Sequence, residues 1–259
     1  MVLAISNQKG GVGKTTSVGA IGAAFAKMGK RVIMIDLDPQ ANLSTGLGIS
    51  EPDTSIDKVL FGECSVEEAV YEIGDNLYLI PCTKSLGSFE IEMLNEIGRE
   101  NLLKKQTKSL KEVADIIILD TAPSLGLLTV NALAFSDHVI VPIHAEKFSI
   151  DGLNEVLITI SKIKEDINPG ITFSGAFFTQ FNKQKLLTRA METEVIELIG
   201  ENLLYKNRIR INVALQEAYA LGKTVFEYAP DSNGAKDYLK LSQEIGKSIN
   251  LHQSEMVAK

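Results

Sequence analysis

With 259 residues, 45% of them hydrophobic and 23% charged, the chain is long enough for a full core and has the make-up of an ordinary globular protein. Two cysteines, Cys64 and Cys82, stand in no metal-ligand or redox spacing, which excludes a disulfide framework and fits a reducing compartment. The net charge of −7 excludes a uniformly basic surface, yet residues 51–100 hold twelve acids and three bases (−9), leaving about +2 elsewhere by subtraction, so a local basic face remains open.

The first apolar run, Val2 to Ile5, is too short for a secretory leader, and no apolar stretch is long enough to span a bilayer. A soluble, cytoplasmic protein is expected. Strand Val2–Ser6 leads into Asn7-Gln8-Lys9-Gly10-Gly11-Val12-Gly13-Lys14-Thr15-Thr16, and a helix follows over Thr15–Met28, closed by Gly29. Glycines at this spacing let Gly10, Gly11, Val12, Gly13, Lys14, Thr15 and Thr16 turn backbone N–H groups towards a phosphate at a helix N-terminus. Lys14 would reach the β- and γ-phosphates, and the Thr15 hydroxyl is placed to ligate Mg²⁺. ATP with Mg²⁺ is therefore the expected ligand.

Strand Arg31–Asp38 ends in Asp36-Leu37-Asp38-Pro39. Alternation puts Asp36 and Asp38 on one side, at the strand end where α/β sheets bind ligands. Two carboxylates beside a triphosphate repel it unless Mg²⁺ or a positioned water stands between them. Strand Leu77–Cys82 follows, then a basic stretch from Arg99 to Lys111 on a helical pattern, taken as a solvated face. Strand Asp115–Thr121 carries four apolar residues into Asp120, the pattern of a carboxylate that holds Mg²⁺ through water.

Strands His138–His144 and Ile171–Phe181 complete the series. Several strands are apolar on consecutive residues, as when both sheet faces are covered. The fold class expected is α/β, a mostly parallel twisted sheet with helices on both faces. One domain over 1–250 and a polar tail over 251–259 are expected. In 202–223, Lys206, Arg208, Arg210 and Lys223 face one acid, Glu217, a cluster suited to phosphates without sequence readout. Arg208 and Arg210 alternate and would share a face, or else the cluster is a charge-protected strand edge.

The loop departs from the ordinary phosphate-loop pattern, with Gln8 where a glycine is usual and two lysines, Lys9 and Lys14, bracketing the glycines. In this it resembles the deviant Walker A motif of the ParA/Soj family of DNA-partitioning ATPases, and the likeness runs from Val2 to about Ile249. The resemblance implies that Lys9 crosses a dimer interface to the partner's nucleotide, so that ATP holds a homodimer together. It implies that Asp38 orients the attacking water and Asp36 supports the metal's water shell. The segment after the last strand would flank the adenine, bringing Asn182 and Arg208 to the nucleotide.

The family's ATP dimer binds DNA non-specifically on the nucleoid, and a ParB-like partner stimulates slow hydrolysis and release. Departures occur at Ala122, where a proline is common, and at Ala214, where an arginine is. The phosphate loop starts so early that no N-terminal helix-turn-helix is expected ahead of it. A protein cargo in place of DNA is an alternative with the same ATP chemistry. A membrane-cycling regulator like MinD would need an apolar and basic C-terminal helix, and the residues after Ser248 are polar. An iron–sulfur reductase would need cluster cysteines near Asp120, where none stands.

Overall fold

The computed structural model describes residues 1–144 and 149–251. Among these, seven strands make one sheet: β1 (Val2–Ile5), β2 (Val32–Leu37), β3 (Tyr71–Gly74), β4 (Leu77–Ile80), β5 (Ile116–Thr121), β6 (His138–His144) and β7 (Thr172–Thr179). Their order is β3-β4-β2-β5-β1-β6-β7. Every neighbouring pair is parallel except β3 with β4.

The period of two along each strand sorts the core. Val2 and Ala4, Ile33 and Ile35, and Ile117 and Leu119 pack on one face. Leu3 and Ile5, Val32 and Met34, and Ile116 and Ile118 pack on the other. Because β1, β2 and β5 are buried on both faces, their sequences run apolar without alternation.

Helices α1 (Lys14–Lys27), α2 (Asn42–Gly46), α6 (Val213–Ala220) and α7 (Asn233–Ser248) cover the second face, through Val18, Ile21, Leu43, Leu215, Tyr238 and Leu241. Helices α3 (Leu127–Phe135), α4 (Ser149–Asp166) and α5 (Leu186–Ile199) cover the first, through Leu133, Val156 and Val195. Taking an isoleucine or leucine of this kind wholly out of water contributes about 1.5–3 kcal/mol.

All six strands expected from the sequence are present, with ends trimmed by one or two residues. Strand β3 was not expected. It is an antiparallel edge strand of exposed and half-buried residues, with a register shift between Glu72 and Gly74, so it carries neither an apolar run nor clean alternation. Of the tail expected at 251–259, His252 onward lies outside the described residues.

The topology sets three strand ends side by side. In register, Ile5 of β1 stands opposite Asp120 of β5, and Asp120 opposite Asp36 of β2. The loop leaving β1 and the two aspartate-bearing strand ends therefore meet at the carboxyl edge of the sheet.

Candidate active site

The loop from Ser6 to Gly13 curls over the first turn of α1. Gly11 has φ 75° and Gly13 φ 84°, left-handed conformations that side-chain-bearing residues rarely adopt. The loop is held from outside at several points. Asn7 donates through Nδ2 to the Pro142 carbonyl (2.8 Å) and accepts at Oδ1 from the Lys9 N–H (2.9 Å). Thr179 donates to the Val12 carbonyl (2.8 Å), and Gln180 to the Gly11 carbonyl (3.3 Å). The ends of β6 and β7 thus fix a loop that its glycines alone would leave free.

Lys14 is 7% exposed, and its ammonium donates to the Lys9 carbonyl at 3.2 Å. Burial holds its pKa below the usual lysine range, with Asp120 and Asp38 acting in the opposite direction. A desolvated ammonium satisfied by one neutral carbonyl gains most when a phosphate arrives.

Asp36 and Asp120 are both fully buried, yet their surroundings differ. Asp36 accepts from the Asp38 N–H (3.2 Å), the Ser44 N–H (2.9 Å) and the Ser44 hydroxyl (2.7 Å). The Cys82 N–H in turn donates to Ser44 Oγ at 3.0 Å, and the Cys82 thiol to the Asp38 carbonyl at 3.0 Å. This network ties the residues after β2 to the end of β4. Neither Ser44 nor Cys82 stood out in the sequence, because each acts only through contacts across the fold.

Neither carboxylate oxygen of Asp120 has a partner in hydrogen-bonding geometry. Burial, reinforced by the Asp36 carboxylate, raises its pKa well above the usual range, while Thr15 and Lys14 act in the opposite direction. An orphaned, buried carboxylate beside the Thr15 hydroxyl fits a hydrated divalent cation, and those two residues would hold it. When bound, Mg²⁺ would neutralise phosphate charge and favour ionised Asp120. Asp38, 8% exposed, accepts from the Gln40 N–H at 3.0 Å and lines the cavity ahead of the loop.

That cavity measures about 660 Å³ and is walled by the loop glycines, Lys14, Thr15, Asp38, Gln216 and Tyr219. A narrower recess of about 120 Å³ continues from Gly13 and Thr16 between Gln180, Arg210, Asn212 and Gln216. Asn182 and Arg208 line neither space. Asn182 instead accepts at Oδ1 from the Gln184 N–H (3.0 Å), in the turn before α5. The base-sized recess is walled by residues 209–216, which the sequence reading passed over for a position nearer the strand.

The basic cluster is also rearranged by the fold. Arg208 pairs with Glu192 of α5 and lies over Phe178 and Phe181, 6.0 and 5.7 Å from their ring centroids. Arg210 forms a two-pronged pair with Asp237 of α7, at 2.9 and 2.7 Å. The two arginines therefore do not share a face; they are drawn to helices on opposite sides of the sheet. Glu244 of α7 accepts from the backbone of Lys206 and Asn207. Acids distant in sequence thus surround a segment that looked bare. Lys206 and Lys223 are exposed, and the Arg210 side chain is 52% exposed.

No helix among the described residues is long and apolar enough to cross a membrane. A family model described as an AAA domain matches residues 1–173. The sporulation initiation inhibitor protein Soj of Bacillus subtilis is 38% identical over 247 residues, covering 94% of this chain and 97% of that one. The chromosome-partitioning ATPase Soj of Thermus thermophilus is 35% identical, covering 94% of each. Among solved structures, cobyrinic acid a,c-diamide synthase of Mycobacterium smegmatis with bound ADP and magnesium is 30% identical, with TM-score 0.84 over 100% of this chain and 99% of that one. The chain belongs to the Soj/ParA family of partitioning ATPases, Mg²⁺- and ATP-dependent enzymes built on a P-loop α/β sheet.

Proposed function

We propose that the protein runs an ATP-gated cycle in which a nucleotide-bound homodimer binds DNA without sequence preference and a ParB-like partner triggers hydrolysis and release. The observation that carries the hydrolytic part is the orphaned Asp120 carboxylate beside Thr15 and a buried Lys14. Lys14 and the loop N–H groups bind the β- and γ-phosphates, Thr15 and Asp120 hold the hydrated cation, and Asp38 positions the attacking water. Asp36, already saturated by Ser44 and Asp38, braces the segment that carries Asp38. The recess walled by residues 209–216 takes the adenine.

The dimer rests on the two-lysine loop that resembles the deviant Walker A motif. Lys9 sits half-buried at the mouth of the site, its backbone fixed by Asn7 and by Lys14. In the ATP dimer it reaches the nucleotide of the second copy. The two Soj relatives are more similar in sequence than the diamide synthase, which favours partitioning over amide synthesis. Such a protein works in the cytoplasm and gathers on the nucleoid when ATP is bound.

Light scattering of wild type and Lys9→Ala with Mg-ATP and Mg-ADP tests the dimer. Wild type is expected to double in mass with ATP alone, while Lys9→Ala binds ATP and stays monomeric. The same ATP-dependent dimer in both proteins contradicts the role given to Lys9.

A further inference from the structure

Helix α6 runs from the base recess to the segment that follows β2. Near its start, Asn212, Val213 and Gln216 line the recess. One turn on, Tyr219 lies on the same face of the helix as Gln216, and both line the larger phosphate-side cavity. The Tyr219 hydroxyl donates to the Thr15 carbonyl at 2.7 Å, within the first turn of α1.

The Tyr219 ring is wedged between two glycines. A Cβ on Gly19 of α1 would fall 2.3 Å from the Tyr219 hydroxyl oxygen, and one on Gly46 of α2 only 2.1 Å from Cδ1 of the ring. Neither helix can withdraw from the ring or approach it without a gap or a clash. Through Ser44, α2 also grips the Asp36 carboxylate, two residues from Asp38. A continuous packed path therefore joins the base recess to the water-positioning carboxylate.

We propose that Tyr219 is a positioning residue through which occupancy of the base recess sets the Asp36–Gly46 segment for hydrolysis. The inference rests on the reading of the two spaces as base and phosphate sites. A purine in the recess presses on Gln216 and fixes α6. Tyr219 then holds α2 against the first turn of α1, so that Asp38 is in place only when a whole nucleotide is bound. A triphosphate without a base fills the phosphate loop but leaves α6 unloaded.

The experiment compares Mg-ATP with Mg-tripolyphosphate, each at saturation, by hydrogen exchange over residues 36–46 in wild type, Tyr219→Ala and Tyr219→Phe. ATP is expected to protect this segment more than tripolyphosphate in wild type, and the two ligands equally in Tyr219→Ala. In Tyr219→Phe, which keeps the ring, turnover should fall about 2- to 10-fold, the net worth of one hydrogen bond, with KM for ATP little changed. A merely structural residue would shift KM and melting together. Equal protection by both ligands in wild type, or an undiminished difference in folded Tyr219→Ala, overturns the proposal. Should Tyr219→Ala not fold, wild-type turnover and exchange in Tyr219→Phe overturn it instead. Failure of wild type to bind ATP in the same titration counts against the nucleotide reading itself, and the coupling falls with it.

Discussion

Asp36 and Asp120 stand opposite each other in register on neighbouring strands, and only Asp36 is hydrogen-bonded. Two buried carboxylates so placed repel, and the chain's donors relieve one of them. The other is left for a cation. This asymmetry separates a bracing aspartate from a metal-side aspartate, a distinction invisible in the sequence, where both are aspartates at strand ends.

The first prediction follows from the raised pKa of Asp120. In the unfolded chain this carboxyl ionises around 3.8, whereas the nucleotide-free fold keeps it protonated to higher pH. Its contribution to stability therefore falls as pH rises from about 4 towards the raised value. Asp120→Asn should raise the melting temperature of the nucleotide-free protein more at pH 7 than at pH 4. A relief of about 1 kcal/mol corresponds to about 2–4 °C in a domain this large. Melting curves at the two pH values, with EDTA, check it; a pH-independent change contradicts it. The same variant should lose Mg²⁺-dependent turnover.

Ser44→Ala should cost about 1–3 kcal/mol of stability, because it strands a buried Asp36 oxygen and the Cys82 N–H together. Urea unfolding reads that loss. Turnover should drop while ATP affinity holds, since Ser44 touches the switch segment and lines neither cavity. Equal losses in both would make Ser44 part of the binding site instead.

Lys14→Ala and Asp38→Ala should separate binding from chemistry. Removing the ammonium that offsets phosphate charge should abolish tight ATP binding. Removing the water-positioning carboxylate should leave binding intact and slow hydrolysis on the order of 100-fold. Fluorescent-nucleotide titration and single-turnover hydrolysis check the pair. Wild-type turnover in Asp38→Ala would move the water-positioning role elsewhere.

What the sequence made legible follows from range. The phosphate loop, the strand before it and the helix after it are contiguous, so residue types and spacing placed Gly10 to Thr16 without the fold. The six buried strands announced themselves because full burial needs unbroken apolar runs. Ser44, Cys82, Gln216 and Tyr219 act only after distant segments meet: Tyr219 reaches Thr15 across 204 positions. The arginines show the converse. Local counting left them facing one acid, while the fold brings Glu192 to Arg208 and Asp237 to Arg210.

That pairing changes how the DNA reading is tested. Reversing Arg208 would set a glutamate beside Glu192 over two phenylalanines, and loss of binding could then reflect a damaged fold. Lys206 and Lys223 are exposed and carry no such burden. Lys206→Glu with Lys223→Glu should lower the salt slope of log affinity by about one unit per lost phosphate contact, doubled in a dimer. An unchanged slope would shift the contact surface to exposed Lys104, Lys105 and Lys108.

The most direct test is DNA retention by the wild-type protein in a mobility shift across a salt series, with Mg-ATP and with Mg-ADP. An ATP-gated dimer presents twice the phosphate contacts of a monomer, so retention should require ATP, ignore DNA sequence and weaken steeply with salt. No retention with ATP at low salt, or equal retention with ADP, would contradict the account.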